Sequence, residues 1–506
     1  MEGVTAADIL VLPFFGQGHL FPCAELCKHF SSHNCKSIFI IPSHLSSSIP
    51  SDLHRHPLVQ VIQISTSPPP ADASDGDYSG PGAKPAHHRQ HHQMGQGIES
   101  FLSERFQNVR PAFVVVDVMM SWSKEIFKKA NIPIVSFFTS GACATAMVYA
   151  GWKAHVDNIG LDEGEAPLIP GLPESMALTY SDTKRRERRR HGEGGNGRGG
   201  GRSGMKPGTP RLGLPTRWVD ETEGSTALLI NTCDDLEAPF LDYLSGQVEK
   251  PVFGVGPLLP ETFWKSIGSV VHDRDSRPNR ASNYTEDEVI SWLDSKPPRS
   301  VIYVSFGSEV GPTLEEYDQL ADALAESNRS FIWVIQPGAG RPGPPANMFG
   351  SKATSDDSKE DEGYGYEPPH GMKDKVGNRG LIIKGWAPQL MILSHTSTGG
   401  FLSHCGWNST VEAISCGVPV LAWPIRGDQF YDAKLVVKYL NVGHMVPNAD
   451  DVSKTVRKLD VMEGIEMVMD DEDVRDRAVA LRGTFEGGYP ASSAASLKAL
   501  IQVLRK

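Results

Sequence analysis

Two groups of residues in this 506-residue chain have the types and spacing that chemistry needs. The first lies between Trp386 and Gln429. Phe401-Leu402-Ser403 reads as a strand end, His404-Cys405-Gly406-Trp407-Asn408-Ser409 as a turn of small residues, and Thr410–Cys416 as a helix stopped by Gly417 and Pro419. A glycine-containing turn into a helix start presents unpaired N–H groups and the positive end of the helix dipole, which suits a phosphate. His404 and Asn408 add donors there. Glu412 lies one turn deeper, where a carboxylate can accept both hydroxyls of a ribose. Trp386 and Trp407 offer flat faces to a base or a sugar. Asp428-Gln429 closes the segment with polar groups able to bond several sugar hydroxyls. A plainer alternative stands beside this: Ser409-Thr410-Val411-Glu412 is also a capping box, which needs no ligand.

The second group is a pair. His19 sits where a first strand gives way to a first helix, and Asp117 ends another apolar strand. In open α/β sheets ligands bind at the carboxyl ends of strands. Two such strands in one sheet would bring both side chains to one edge. A neutral imidazole there can take a proton from a hydroxyl, and a carboxylate on its far nitrogen fixes the tautomer. For a lone loop histidine, a solvated or capping role is the ordinary alternative.

The elements that must position these groups follow from apolar runs. Ile9–Pro13, Ser37–Pro42, Ala112–Asp117, Pro133–Phe138 and Ala227–Asn231 read as buried strands, with helices after the first and third. After a Pro- and Gly-punctuated stretch the rhythm restarts with Val301–Phe306, a helix over Leu314–Glu326, and strands at Phe331–Ile335, Gly380–Lys384, Gly400–Ser403 and Val418–Trp423. The pattern predicts two α/β halves. Three segments, 68–97, 183–210 and 337–371, are rich in Pro, Gly or charge and read as low-order surface insertions.

Composition excludes several classes. Net charge is −12, so bulk attraction to nucleic acid is not expected, although Lys184–Lys206 holds nine basic residues against two acidic ones. No apolar run reaches the length of a membrane span, and Met1–Ile9 lacks the basic start of a secretory signal. The seven scattered cysteines, with no CxxC pair, fit reduced thiols in a cytoplasmic protein. His87, His88, His91 and His92 lack companion ligands at fixed spacing, so they read as a solvated loop rather than a metal site. Gly16-Gln17-Gly18 lacks the third glycine of a dinucleotide fingerprint, which argues against a nicotinamide cofactor.

The Trp386–Gln429 segment resembles, without a gap, the 44-residue signature box of plant family 1 UDP-dependent glycosyltransferases. Weaker similarity covers nearly the whole chain outside the three insertions. The resemblance implies a GT-B fold, two Rossmann-like domains facing each other across a cleft. The expected division is residues 1–252 for an acceptor-binding domain, 253–282 for a linker, 283–485 for a UDP-sugar-binding domain, and 486–506 for a helix packing back on the first domain. It implies that Trp386 stacks on uracil, that the Ala387 backbone bonds the edge of the base, and that Gln389 lies in the same nucleoside pocket. Glu412 would hold the ribose. His404, Asn408, Ser409 and Ser308 would surround the diphosphate. Trp407, Asp428, Gln429 and Thr139 would face the sugar, the final Gln being associated with glucose. His19 becomes the general base and Asp117 its partner.

The implied activity is an inverting transfer of glucose from UDP-glucose, a co-substrate rather than a cofactor, with no metal. Phe14, Phe15, Met119, Met120 and Trp122 flank the pair, so an apolar acceptor such as a plant phenolic or flavonoid is expected. A terpenoid hydroxyl or a phenolic ring carbon is the alternative target. A relative that hydrolyses or isomerises the UDP-sugar, and a nucleic-acid binder using Lys184–Lys206, are the competing classes. A cytoplasmic monomer whose partners are its two small-molecule substrates completes the expectation.

Overall fold

A computed structural model describes residues 8–66, 86–107, 109–153, 164–191, 222–272, 281–308, 310–336, 339 and 366–504. The first sheet holds β1 (Ile9–Leu12), β2 (Ser37–Pro42), β3 (Val59–Ile64), β4 (Phe113–Asp117), β5 (Ile134–Phe138), β6 (Ala227–Ile230) and β7 (Val252–Gly254). The second holds β8 (Val301–Ser305), β9 (Ser330–Ile335), β10 (Gly380–Lys384), β11 (Thr398–Ser403), β12 (Val420–Ala422) and β13 (Gly443–Met445). Their orders are β3-β2-β1-β4-β5-β6-β7 and β10-β9-β8-β11-β12-β13. Adjacent strands pair in parallel throughout both sheets. Continuous runs such as Ile-Leu-Val-Leu and Val-Ile-Tyr-Val are buried on both faces, as a helix-covered parallel sheet requires. Each order reverses once, at β1/β4 and at β8/β11, and such switch points open a crevice at the strand ends.

Eight helices matter below: α1 (Gln17–Ser32), α2 (Ala86–Arg105), α3 (Ala142–Lys153), α4 (Tyr180–His191), α5 (Gln389–Ser394), α6 (Trp407–Cys416), α7 (Gln429–Lys434) and α8 (Ala491–Leu504). α8 lays Leu497, Leu500 and Ile501 into the core that holds Ile9, Leu20 and Phe30 of the first half. A larger apolar cluster joins Cys143 and Met147 of α3 to Trp407, Val411 and Tyr431 of the second half. No helix among the described residues is long and apolar enough to cross a membrane.

Several expectations need correcting. α1 starts at Gln17, so His19 belongs to the first turn of a helix rather than to a loop. α6 starts at Trp407, three residues earlier than the sequence pattern suggests. Its N-cap is Gly406 with no side-chain cap, so Ser409 is inside the helix and the capping-box alternative fails. The stretch after Asp117 is a 3₁₀ segment, Val118–Ser123, before a short helix, Lys124–Lys129.

The three insertions are more ordered at their edges than their composition suggests. Segment 68–97 contributes the start of α2, which buries Met94 and Ile98. Of the histidine cluster, the side chains of His87 and His88 lie outside the described residues, while His91 is helical and stacks on Trp122 at 4.7 Å. Segment 183–210 begins inside α4. Segment 337–371 ends with Tyr366 buried against Tyr317 and bonded to Asp318 at 3.0 Å. The rest of Lys184–Lys206, beyond α4, lies outside the described residues.

Candidate active site

At the first switch point, β1 leads into α1 and β4 ends at Asp117. His19 Nδ1 lies 2.7 Å from Asp117 Oδ2. The other carboxylate oxygen, Oδ1, accepts from the Met119 backbone N–H at 2.9 Å. Asp117 is fully buried, so these contacts hold its orientation, while the His19 side chain remains 24% exposed. Thr139, one residue past β5, brings its hydroxyl to 3.0 Å from the same Nδ1. Phe14 meets the imidazole edge-on at 5.1 Å and stacks on Phe15. Nδ1 is turned toward Asp117 and Thr139, so the other ring nitrogen, Nε2, faces away from both.

At the second switch point, the turn after β11 feeds α6. His404 is buried, with its ring enclosed by two glycines. A Cβ on Gly307 would lie 2.7 Å from His404 Nε2, and one on Gly406 would lie 2.5 Å from it. Both positions therefore admit no side chain while the ring stays in place, and Gly307 also holds a φ of +74°. Ser308 follows directly. Burial, helped by the field of Arg426, lowers the His404 pKa to about 4. The ring is neutral at neutral pH and acts as a hydrogen-bonding group, not as a cation. Its buried Nδ1 has no protein partner.

Deeper in α6, Glu412 accepts from Gln389 Nε2 at 2.7 Å, and the same amide reaches Ser409 Oγ at 3.0 Å. Tyr303 on β8 donates its hydroxyl to Gln389 Oε1 at 3.1 Å. Gln389 thus orients Glu412 from the head of α5. Trp386 and Ala387 come just before it, beyond the end of β10. At the head of α7, Gln429 Oε1 accepts from the Ile425 and Arg426 N–H groups at 3.0 and 2.9 Å. Asp428, beside it, has a pKa raised by the surrounding protein and opposed by the fields of His19 and Arg426, which puts it within electrostatic reach of the first-half pair.

The two helix starts meet across the cleft: Asn408 Nδ2 donates to the Gly18 carbonyl at 3.1 Å. Trp407 does not present its indole as an open face. Its Nε1 donates to the Asn231 carbonyl at 2.6 Å, and its six-membered ring lies against Gly141, where a Cβ would come within 2.7 Å. Its side chain ties the halves together. Glu237 closes the same junction by accepting the Ala142 and Cys143 N–H groups at the start of α3, both at 2.7 Å.

Asp432 is buried nearby with neither carboxylate oxygen hydrogen-bonded. Burial, then Asp428 and Glu237, push its pKa well above the usual range. A carboxyl with a raised folded-state pKa stabilises most below its unfolded value and loses that contribution as pH rises. Asp432→Asn should therefore gain stability relative to the parent as pH increases. Urea unfolding at pH 5 and pH 8 checks this, and a difference that shrinks at pH 8 would contradict it.

The structure brings His19, Asp117 and Thr139 to one edge, with His404 in the facing turn and Asn408, Ser409 and Glu412 on the helix that follows it. Sequence reasoning assigned no role to Tyr303, Gly307, Asn231 and Arg426. Tyr303 was hidden as one more apolar strand residue. Arg426, the only cation between Trp386 and Gln429, was a readable signal.

Two doubly wound parallel sheets with facing switch points form a GT-B fold. Residues 280–483 match the family described as UDP-glucoronosyl and UDP-glucosyl transferase. The chain is 27% identical to UDP-glycosyltransferase 73B4 of Arabidopsis thaliana, covering 93% of this chain and 91% of that one. It is 28% identical to abscisate beta-glucosyltransferase of Phaseolus angularis, covering 99% and 97%. Among solved structures, Medicago truncatula UGT71G1 complexed with UDP-glucose superposes with a TM-score of 0.70 at 22% identity, covering 100% of both chains. A transferase from Siraitia grosvenorii in complex with UDP gives 0.70 at 21%, covering 99% and 100%. The protein is a glycosyltransferase enzyme. Its likeness to plant UDP-glycosyltransferases extends over nearly the whole chain.

Proposed function

We propose that the enzyme transfers glucose from UDP-glucose to a hydroxyl of a small lipophilic acceptor, a plant phenolic or flavonoid, with inversion at the anomeric carbon. The observation that carries this reading is the 2.7 Å contact of His19 Nδ1 with buried Asp117, at a crevice facing the uncapped start of α6. The acceptor hydroxyl gives its proton to His19 Nε2 as its oxygen bonds the anomeric carbon. The bond from that carbon to the diphosphate oxygen breaks, and UDP leaves with the electron pair. Asp117 stabilises the imidazolium. The charge developing on the diphosphate is met by the α6 N–H groups, neutral His404, Ser308, Asn408 and Ser409. Trp386, Ala387 and Gln389 hold the nucleoside, and Glu412 its ribose hydroxyls. Asp428, Gln429, Thr139 and the backbone at Trp407 address the sugar. Phe14, Met119 and Trp122 give the acceptor an apolar wall. The domain division at about residues 253–282, a cytoplasmic location and a monomeric state belong to the same reading.

The test is an acceptor panel with UDP-glucose, read by mass and by the anomeric configuration and attachment point of the new bond. Free glucose as the sole product would sink the transfer. A carbon–carbon linkage would replace the hydroxyl with a ring carbon as the target. Gln429→His should weaken use of UDP-glucose relative to UDP-galactose, measured as the ratio of kcat/KM values. An unchanged ratio would remove Gln429 from the sugar site.

A further inference from the structure

The residues that carry the donor-sugar assignment open a helix that cannot orient itself. α7 has six residues and runs on into a π-helical segment, Leu435–Tyr439, together still short for independent stability, and its N-cap Asp428 makes no side-chain cap hydrogen bond. Its direction must come from whatever holds it. Two of its holds come from α4, an element of the other half of the molecule.

At the far end of α7, Lys434 Nζ reaches Asp182 Oδ2 at 3.2 Å and also donates to the Ala177 carbonyl. At the near end, the Arg185 guanidinium lies 4.2 Å over the ring of Phe430, the residue after Gln429. Arg185 also pairs with Asp182 and donates to the Asp450 carbonyl at 2.6 Å. Asp182 is 1% exposed, Lys434 11% and Arg185 12%, so this is a nearly dry cluster. Burial alone would raise the Asp182 pKa, but Lys434 and Arg185 outweigh it and hold the carboxylate charged. A planar guanidinium can grip a carboxylate, a carbonyl and an aromatic face together, which an ammonium cannot.

We propose that Asp182 and Arg185 are positioning residues for the donor sugar. They clamp α7 from the acceptor-binding half and so fix where Asp428 and Gln429 stand. This rests on the donor-sugar reading of those two residues. The uridine and ribose contacts lie at α5 and α6, outside the clamp. Loosening the clamp should therefore affect the sugar and spare the nucleotide.

The experiment compares Arg185→Ala, Arg185→Lys, Phe430→Leu and Gln429→Ala in the full chain, measuring KM and kcat for UDP-glucose and the Kd of UDP. Arg185→Ala should raise the UDP-glucose KM by about tenfold, the scale of a desolvated cation–π contact plus a charge-assisted hydrogen bond. The Kd of UDP should stay within about twofold. Arg185→Lys keeps the charge and loses the plane, and Phe430→Leu loses only the ring. Each should fall between parent and Arg185→Ala, about threefold, and they serve as the readout if Arg185→Ala folds poorly. A merely structural role would lower kcat through the active fraction and leave KM alone. The clamp is overturned if Gln429→Ala raises the UDP-glucose KM while the α4 and Phe430 variants do not, or if UDP affinity falls in parallel. If Gln429→Ala also leaves KM unchanged, the donor-sugar reading fails and the clamp fails with it.

Discussion

His19→Ala should lower turnover of acceptor hydroxyls by about a hundred- to ten-thousandfold while UDP still binds, the range lost when a positioned general base is removed. The geometry makes the expectation sharp. Asp117 is buried, with Oδ1 held by the Met119 N–H and Oδ2 against the imidazole, where Thr139 also reaches Nδ1. Glu412 and Gln389 are oriented by contacts of their own, and His404 is enclosed by Gly307 and Gly406, so the nucleotide site should survive loss of the ring. The split to look for is a collapsed kcat with a UDP Kd within about twofold of the parent. Asp117→Asn should also be severe, since it replaces the carboxylate that fixes the tautomer. Near-normal turnover in His19→Ala would remove the base from the proposal.

Glu412→Ala should do the reverse. It should weaken UDP and UDP-glucose together by about a hundredfold, the scale of losing two charge-assisted hydrogen bonds to ribose. Glu412 is 4% exposed and is oriented by Gln389, itself held by Tyr303, so the carboxylate is already aimed before a nucleotide arrives. Glu412→Gln keeps an acceptor oxygen but can no longer receive two hydroxyls equally, and an intermediate affinity is expected. Calorimetric titration of UDP measures both. An unaltered UDP Kd in Glu412→Ala would detach Glu412 from the nucleoside.

Most of the strands were legible because they are buried on both faces, so Ile, Leu and Val run without interruption. Ser37–Pro42 and Gly380–Lys384 were placed to the residue. The missed strands lack that signature. β3, with its Gln60 and Gln63, is the outer strand of its sheet, and β7 and β13 have three residues each. The helix starts were misread for a related reason. Glycines in Gly16-Gln17-Gly18 and His404-Cys405-Gly406 look like loop, yet Gly16 and Gly406 are the N-caps, and His19 and Ser409 already lie in first turns.

The basic segment was misjudged differently. Apolar periodicity cannot detect a helix that docks through Asp182 and Arg185 instead of leucines, so the pattern from residue 183 onward looks like low-order chain although α4 runs to His191. The pairing of His19 with Asp117 followed from two strand ends. The placement of Trp407 did not, because sequence spacing says nothing about which half of the molecule its indole enters.

The neutral His404 has a consequence for how the enzyme meets acidity. Because burial keeps its proton off until pH falls to about 4, His404 carries no charge that switches in the ordinary physiological range. The imidazole that stands at the turn into α6 thus keeps one charge state, a neutral hydrogen-bonding ring. Mild acidification would therefore leave the ring beside Gly307 and Gly406 with the same hydrogen-bonding capacity it has at neutral pH.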